Sequence, residues 1–202
     1  MTSFKHLPPM LAALGLALAP LAAHAASDPA ASQIDKLDTA LIETMKQGSS
    51  LGVKGRYRKM EPVVQSTFDL AKMTQYAVGA SWKTFTPAQQ SAAIEAFGKL
   101  TTASYAHNFS SWGGEKITLD DNIQTRGPDK IVSTHLIRTH DAPVNLTYRM
   151  QQSGGTWKII DVYTGSISQL TTRRSDFAAS LSSGGAQGLI SHLNTLVANQ
   201  MK

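Results

Sequence analysis

Val144-Asn145-Leu146-Thr147-Tyr148-Arg149-Met150 alternates apolar and polar side chains along its whole length. Successive residues of a strand leave opposite faces of a sheet, so Val144, Leu146, Tyr148 and Met150 share an apolar face while Asn145, Thr147 and Arg149 share a polar one. This pattern belongs to an antiparallel sheet buried on one side. The flanking segments agree. Asp129 to Thr139 is a β-rich run ending at the break Asp141-Ala142-Pro143, and Thr156 to Tyr163 is another that follows Ser153-Gly154-Gly155. Both breaks are short enough for hairpin connections. Upstream of Arg126-Gly127-Pro128, Ile117, Leu119 and Ile123 fall on one parity. The region predicts a four-stranded antiparallel meander.

On either side of the meander the apolar period changes to that of a helix. Ser27-Asp28-Pro29 joins a capping residue to a proline at the first helical position, and Ile34, Leu37, Leu41, Ile42 and Met45 recur until Gly48. From Met60 to Ala80, Val63, Val64, Phe68, Met73, Tyr76, Ala77 and Val78 recur at mixed spacing, with Pro62 early and Asp69 as an internal cap. Two short helices are expected there. Thr86-Pro87-Ala88-Gln89 has the form of a capping box and opens a long helix whose inner side carries Ile94, Phe97, Leu100, Thr101, Tyr105 and Phe109. After the sheet, Ile167, Leu170, Phe177 and Leu181 resume helical spacing, Gly184-Gly185 breaks it, and Leu189, Ile190, Leu193, Leu196 and Val197 form a closing helix. The class is α+β, with a helical N-terminal half, a four-stranded antiparallel sheet and closing C-terminal helices.

The 202 residues contain 42% hydrophobic positions, 19 Lys+Arg, 14 Asp+Glu and no Cys, which excludes disulfide scaffolds, thiolate metal sites and charge-driven disorder. The first 25 residues read as an address. Lys5 and His6 precede an apolar run from Met10 to Ala23, interrupted by Pro20, and Ala23-His24-Ala25 supplies the small residues that a signal peptidase reads. The run falls short of the roughly 20 residues that span a bilayer. A signal peptide over 1–25, cleaved after Ala25, and a single domain over 26–202 are therefore expected. Loss of Lys5 leaves 18 Lys+Arg against 14 Asp+Glu, a formal charge of +4.

The chemistry of common catalytic motifs is not legible. His107, His135, His140 and His192 are scattered, and His135 and His140 are five apart, so they would face opposite sides of a strand. No Gly-x-Ser-x-Gly elbow occurs, and Ser183-Gly184-Gly185-Ala186-Gln187-Gly188 lacks the preceding strand and terminal Lys of a phosphate loop, so it reads as a helix break. Trp82, Trp112 and Trp157 lie outside any basic-aromatic motif that stacks bases, and no nucleic-acid partner is expected. Asn108-Phe109-Ser110 and Asn145-Leu146-Thr147 match the glycosylation sequon by chance; the second would put a glycan in the sheet. Asp161 is the one candidate catalytic acid, because Trp157-Lys158-Ile159-Ile160-Asp161-Val162-Tyr163 mixes apolar residues on both parities and could turn a carboxylate toward a cavity. Its other reading is a rim carboxylate that caps a turn.

Several strings, in order over most of the chain, resemble the MlaC family of periplasmic lipid carriers, also described as toluene-tolerance auxiliary proteins. They are Phe68-Asp69-Leu70 with Met73, Val78-Gly79-x-x-Trp82, Thr86-Pro87-Ala88-Gln89-Gln90, Phe97, Tyr105, the Trp157 to Val162 strand, and Gly165-Ser166-Ile167-Ser168 leading to Arg174-x-x-Phe177. Met45-Lys46-Gln47-Gly48, Leu51-Gly52-x-x-Gly55-Arg56-Tyr57, Gly114-Glu115 and Arg173-Arg174-Ser175-Asp176-Phe177 look like the hopanoid-associated HpnM branch. The resemblance implies a curved sheet and helices enclosing an apolar pocket, a phospholipid or hopanoid-like ligand, no cofactor, and partners in an inner-membrane lipid transporter and an outer-membrane lipoprotein complex. Candidate lipid contacts are Phe68, Met73, Tyr76, Trp82, Phe97, Leu100, Tyr105, Leu119, Val144, Leu146, Tyr148 and Met150. Arg173 and Arg174, adjacent cations in a Thr/Ser-rich stretch, are candidates for contact with an anionic membrane or a partner.

Three readings stand at this point. The first is a non-enzymatic carrier. The second is an isomerase or hydratase on a cone-shaped α+β scaffold, using Asp161 with Tyr148 or Tyr163. The third is an adaptor with a solid core.

Overall fold

A carboxylate opens the first helix. In the computed structural model, which describes residues 28–139 and 141–202, Asp28 Oδ1 accepts a hydrogen bond from the Ala30 amide at 2.8 Å, and α1 spans Pro29–Lys46. The expected signal peptide over residues 1–25 lies outside the described residues. Ile34, Leu37 and Leu41 on α1 are fully buried. Lys130 from the sheet ion-pairs with Asp28, tying the start of α1 to the far layer.

The next helix begins earlier than the sequence suggested. α2 runs Gly48–Thr67 and is interrupted at Gly52 (φ 60°), so its first turns are written in Gly and Ser, which carry no apolar period. Tertiary packing makes them helical. Arg56, buried, donates from Nε to the Ala106 carbonyl (2.6 Å) and from Nη1 to the Gly48 carbonyl (2.8 Å). Ala106 lies in the last turn of α4 (Pro87–Asn108), where a cation satisfies carbonyls left open by the helix end. Between them α3 spans Leu70–Val78, capped as expected by Asp69, whose Oδ1 accepts from the Lys72 amide at 3.0 Å. A 3₁₀ segment, Gly79–Thr84, leads to the expected capping box of α4: the Gln89 amide donates to Thr86 Oγ1 (3.3 Å) and the Thr86 amide to Gln89 Oε1 (2.9 Å).

The sheet is antiparallel and open, and its first expected strand is two. β1 (Lys116–Leu119) and β2 (Gln124–Arg126) both pair with β3 (Asp129–Ile137), because Asp120-Asp121-Asn122 turns the chain between them. β4 (Val144–Ser153) and β5 (Thr156–Thr164) complete the meander, and a sixth strand, β6 (Ile167–Ser168), pairs with the end of β5. The order is β1-β3-β4-β5-β6, with β2 beside β3. Ile167 thus belongs to the sheet, not to a helix, and is exposed. A bulge accounts for the mixed parity of β5. Arg149 faces Asp161 whereas Met150 faces Ile159, so Ile160 is supernumerary and four consecutive residues, Ile159 to Val162, are buried.

α5 (Gln169–Gln200) covers the remaining edge of the core, starting from Ser168, whose Oγ accepts from the Thr171 amide at 3.0 Å. It bends where Gly184-Gly185 was expected to break it: Gly185 has φ 54° and ψ −139°, a conformation closed to most side chains. Phe177 of α5 meets Phe97 of α4 edge to face, ring centroids 6.3 Å apart. Val132, Tyr148 and Met150 form the sheet's side of the core, opposite α1 and α2 residues Leu41, Met60 and Val64.

Candidate functional site

Between the helix-facing side of the sheet and α3, α4 and α5 the core does not close. A cavity of about 300 Å³ remains, in the range of small-ligand pockets. Its wall is apolar: Phe68 and Met73 at the α2–α3 junction, Phe97, Tyr105 and Phe109 along α4, Leu136, Val144, Leu146 and Val162 from three strands, and Leu170 from α5. Tyr105 organises the helical wall, stacking on Phe109 and meeting Phe68 edge-on, each with centroids 5.7 Å apart. The polar lining consists of Thr101, Ser104, Asn108, Thr164, Gln169 and Arg173. Asn108, Thr164 and Gln169 are exposed, which marks this as the rim.

Arg173 reaches over that rim. Its Nη2 lies 3.4 Å from Ser104 Oγ and its Nη1 4.0 Å from Asp176, contacts too long to saturate a guanidinium with five N–H donors. Burial lowers its pKa below the ordinary value. Arg174, one residue on and about 100° around the helix, packs instead over Gly79 in a shallow depression with Ala77, Val78 and Ser81. The two adjacent cations therefore occupy different environments.

Six of the twelve candidate lipid contacts come together on the cavity wall: Phe68, Met73, Phe97, Tyr105, Val144 and Leu146. Leu100, Tyr148 and Met150 lie in the packed core, at most 1% exposed. Leu119 and Trp82 are half-buried outside the cavity, the latter against Phe85, and Tyr76 is 41% exposed on α3. The residues not singled out include Ser104 and Asn108, which continue the α4 stripe of Phe97, Thr101 and Tyr105 at helical spacing, and Leu136 and Thr164, which pair with Val144 and Leu146. The first two were open to helical periodicity; the second two required the strand register.

Asp161 does not enter the cavity. Its carboxylate accepts from Ser168 Oγ (2.7 Å), the Val162 amide (2.8 Å) and the Leu170 amide (3.1 Å), fastening β5 to the start of α5. Val162, its neighbour, pairs with Tyr148 and lines the cavity, so Asp161 and Tyr163 leave the opposite face. The acid is a structural cap: of its two expected partners, Tyr148 does not meet it, whereas Tyr163 does, on the face away from the cavity, where burial and then the Asp161 carboxylate raise the phenol's pKa.

A different acid is buried without such partners. Asp38 of α1 is 8% exposed, and burial, reinforced by Asp35, pushes its pKa up to about 7. Its charge bears on the phenols of Tyr105 and Tyr148, whose pKa values burial also raises.

An apolar container with a polar, cationic rim, built between an open antiparallel sheet and a helical layer, defines a class of α+β ligand-binding protein. The profile of the MlaC protein family matches residues 35–195, and the chain belongs to that family. Among solved structures, a phospholipid-binding protein from Ralstonia solanacearum in complex with a phospholipid is similar in fold: TM-score 0.74, 22% identity, covering 86% of this chain and 99% of that one. No curated protein matches the chain in sequence.

Proposed function

We propose that this chain is a non-enzymatic carrier that takes the apolar part of a phospholipid or hopanoid-like lipid into the cavity and leaves the polar head at the rim beside Arg173. The observation that carries the proposal is the division of the cavity's lining into an apolar wall and a polar rim with one undersaturated guanidinium. Membership of the MlaC family and the phospholipid in the Ralstonia solanacearum neighbour support it.

The energetics of such a carrier need no catalytic group. Drawing some 30 methylenes through water costs about 24 kcal/mol at ~0.8 kcal/mol each, whereas passing them from bilayer to apolar pocket exchanges one apolar medium for another. The transfer is nearly balanced and therefore reversible, so direction comes from the partners. In this reading the leader is removed after Ala25, the mature chain works in the periplasm, and an inner-membrane transporter and an outer-membrane lipoprotein complex are its donor and acceptor. Its +4 charge assists approach to anionic leaflets within a screening length of about 8 Å.

Organic extraction and mass spectrometry of purified mature protein tests the proposal. A lipid recovered near one per chain is expected; repeated preparations free of lipid would contradict it.

A further inference from the structure

The cavity opens at one end of the molecule, where several elements start or stop. α4 ends at Asn108 and β5 at Thr164, while β4 begins at Val144 and α5 at Gln169, and all four of these residues line the cavity. Among the described residues four large apolar side chains are exposed, and three of them stand at this end: Trp112 (47%), Ile137 (41%) and Ile167 (62%). Ile167 pairs with Thr164, which pairs with Leu146, so its side chain leaves the cavity face of the sheet at the rim. Ile137 closes β3, next to the cavity-lining Leu136. Trp112 lies just past α4, in a loop fastened to the end of β3 where Thr139 Oγ1 donates to the Gly113 carbonyl (2.6 Å). Tyr76, the fourth, sits apart on α3, near Arg149 in the middle of β4.

Cations accompany the apolar residues. Lys46 Nζ stands 5.4 Å from the Trp112 ring centroid, and Lys116 faces Ile137 across the β1–β3 pairing. Both are exposed, and neither has an ion-pair partner among the described residues. The acids nearby each face a donor: Asp141 faces Arg138 (3.3 Å), Asp176 faces Arg173 (4.0 Å), and Glu115 takes the Gly113 amide. We propose that this end of the molecule docks on an anionic bilayer, with Trp112 and Ile167 entering the headgroup region and Lys46 and Lys116 on lipid phosphates, so that the cavity mouth opens onto the leaflet. The inference rests on the carrier reading above, because a tail passing between bilayer and pocket stays out of water only if the mouth is pressed to the surface. Trp112 has the chemistry of an interfacial anchor: its Nε1 donates to the Glu115 carbonyl (3.1 Å) while nearly half of the residue is exposed. The free lysines favour a bilayer over a protein partner, since the cores of protein interfaces are depleted in Lys whereas each Lys near an anionic leaflet is attracted to it.

The test is sedimentation of mature protein with vesicles of equimolar phosphatidylglycerol and phosphatidylcholine, and with vesicles of phosphatidylcholine alone, beside extraction of lipid from the same preparations. The parent should bind the anionic vesicles. Ile167→Ser and Trp112→Ala should each weaken that binding about tenfold, the scale of withdrawing one large apolar side chain from the interface. Tyr76→Ser should bind like the parent. The double variant Lys46→Gln, Lys116→Gln should lose roughly tenfold or more on anionic vesicles and nothing on phosphatidylcholine alone. Every replaced side chain is exposed, so each variant should melt with the parent and keep its lipid. Equal vesicle binding by the parent, Ile167→Ser and Trp112→Ala would overturn the inference. So would a lipid-loaded parent that ignores both kinds of vesicle; that result would assign this end to a protein partner and spare the carrier reading. A parent recovered free of lipid would contradict the carrier reading, and docking would then stand or fall by the vesicle arm alone.

Discussion

Arg173 is the residue whose replacement should separate ligand binding from folding. Its guanidinium stands at the rim with two long contacts, so removing it orphans nothing in the core. A charge-assisted hydrogen bond to a lipid phosphate is worth roughly 1.5–3 kcal/mol, so Arg173→Ala should weaken binding of fluorescent phosphatidylglycerol by about tenfold or more. Arg174→Ala, beside Gly79, should not. Equilibrium titration of both variants checks the pair. Asp38 makes a pH prediction. Its pKa lies near 7 in the fold against 3.8 outside it, so the folded state holds a proton that the unfolded chain releases first. The associated stability is complete below about pH 4 and is lost as pH rises through 7, at up to roughly 1.4 kcal/mol per unit. Asp38→Asn should therefore gain melting temperature over the parent at pH 8 but not at pH 4.5. Equal differences at both pH values would contradict this. The same residue shows where sequence reading ends: a carboxylate on an apolar helix face looks like a solvated residue until the opposing strand is known.

At the scale of elements, legibility followed periodicity. β4 announces itself by alternation, α4 by its capping box, and the α5 bend by Gly184-Gly185, because each rests on local chemistry. β1 and β2 merged in the reading because Ile123 keeps the parity of Ile117 and Leu119 across the Asp120-Asp121-Asn122 turn. The first turns of α2 were invisible because Gly48, Gly52 and Gly55 earn no helical propensity; their packing fixes them. That packing is testable. A Cβ on Gly48 would lie 2.0 Å from the Ser110 carbonyl oxygen, a backbone atom that cannot rotate away. Gly48→Ala should cost about 1–3 kcal/mol in urea unfolding, the usual penalty of overpacking, and a change below 0.5 kcal/mol would refute the close approach.

For the molecule as a whole, the difficulty was to tell a container from a core. Leu146 and Met150 lie on the same face of one strand and read identically, yet Leu146 lines the cavity and Met150 is fully buried. Depth along the sheet decides between them, and depth is set by how far α4 and α5 stand off, which no local pattern encodes. That distinction also supplies the most direct test of the carrier account. Arg in place of Leu146 can carry its stem along the wall and its charge to the rim, while Thr147, bonded to Ser133 on the opposite face (3.3 Å), points away from the cavity. The measurement is the lipid-to-protein ratio of parent, Leu146→Arg and Thr147→Arg by extraction and mass spectrometry, with a melt to verify folding. The account predicts about one lipid per chain in the parent and in Thr147→Arg, and a folded Leu146→Arg with little or none; equal lipid in all three, or none in the folded parent, would contradict it.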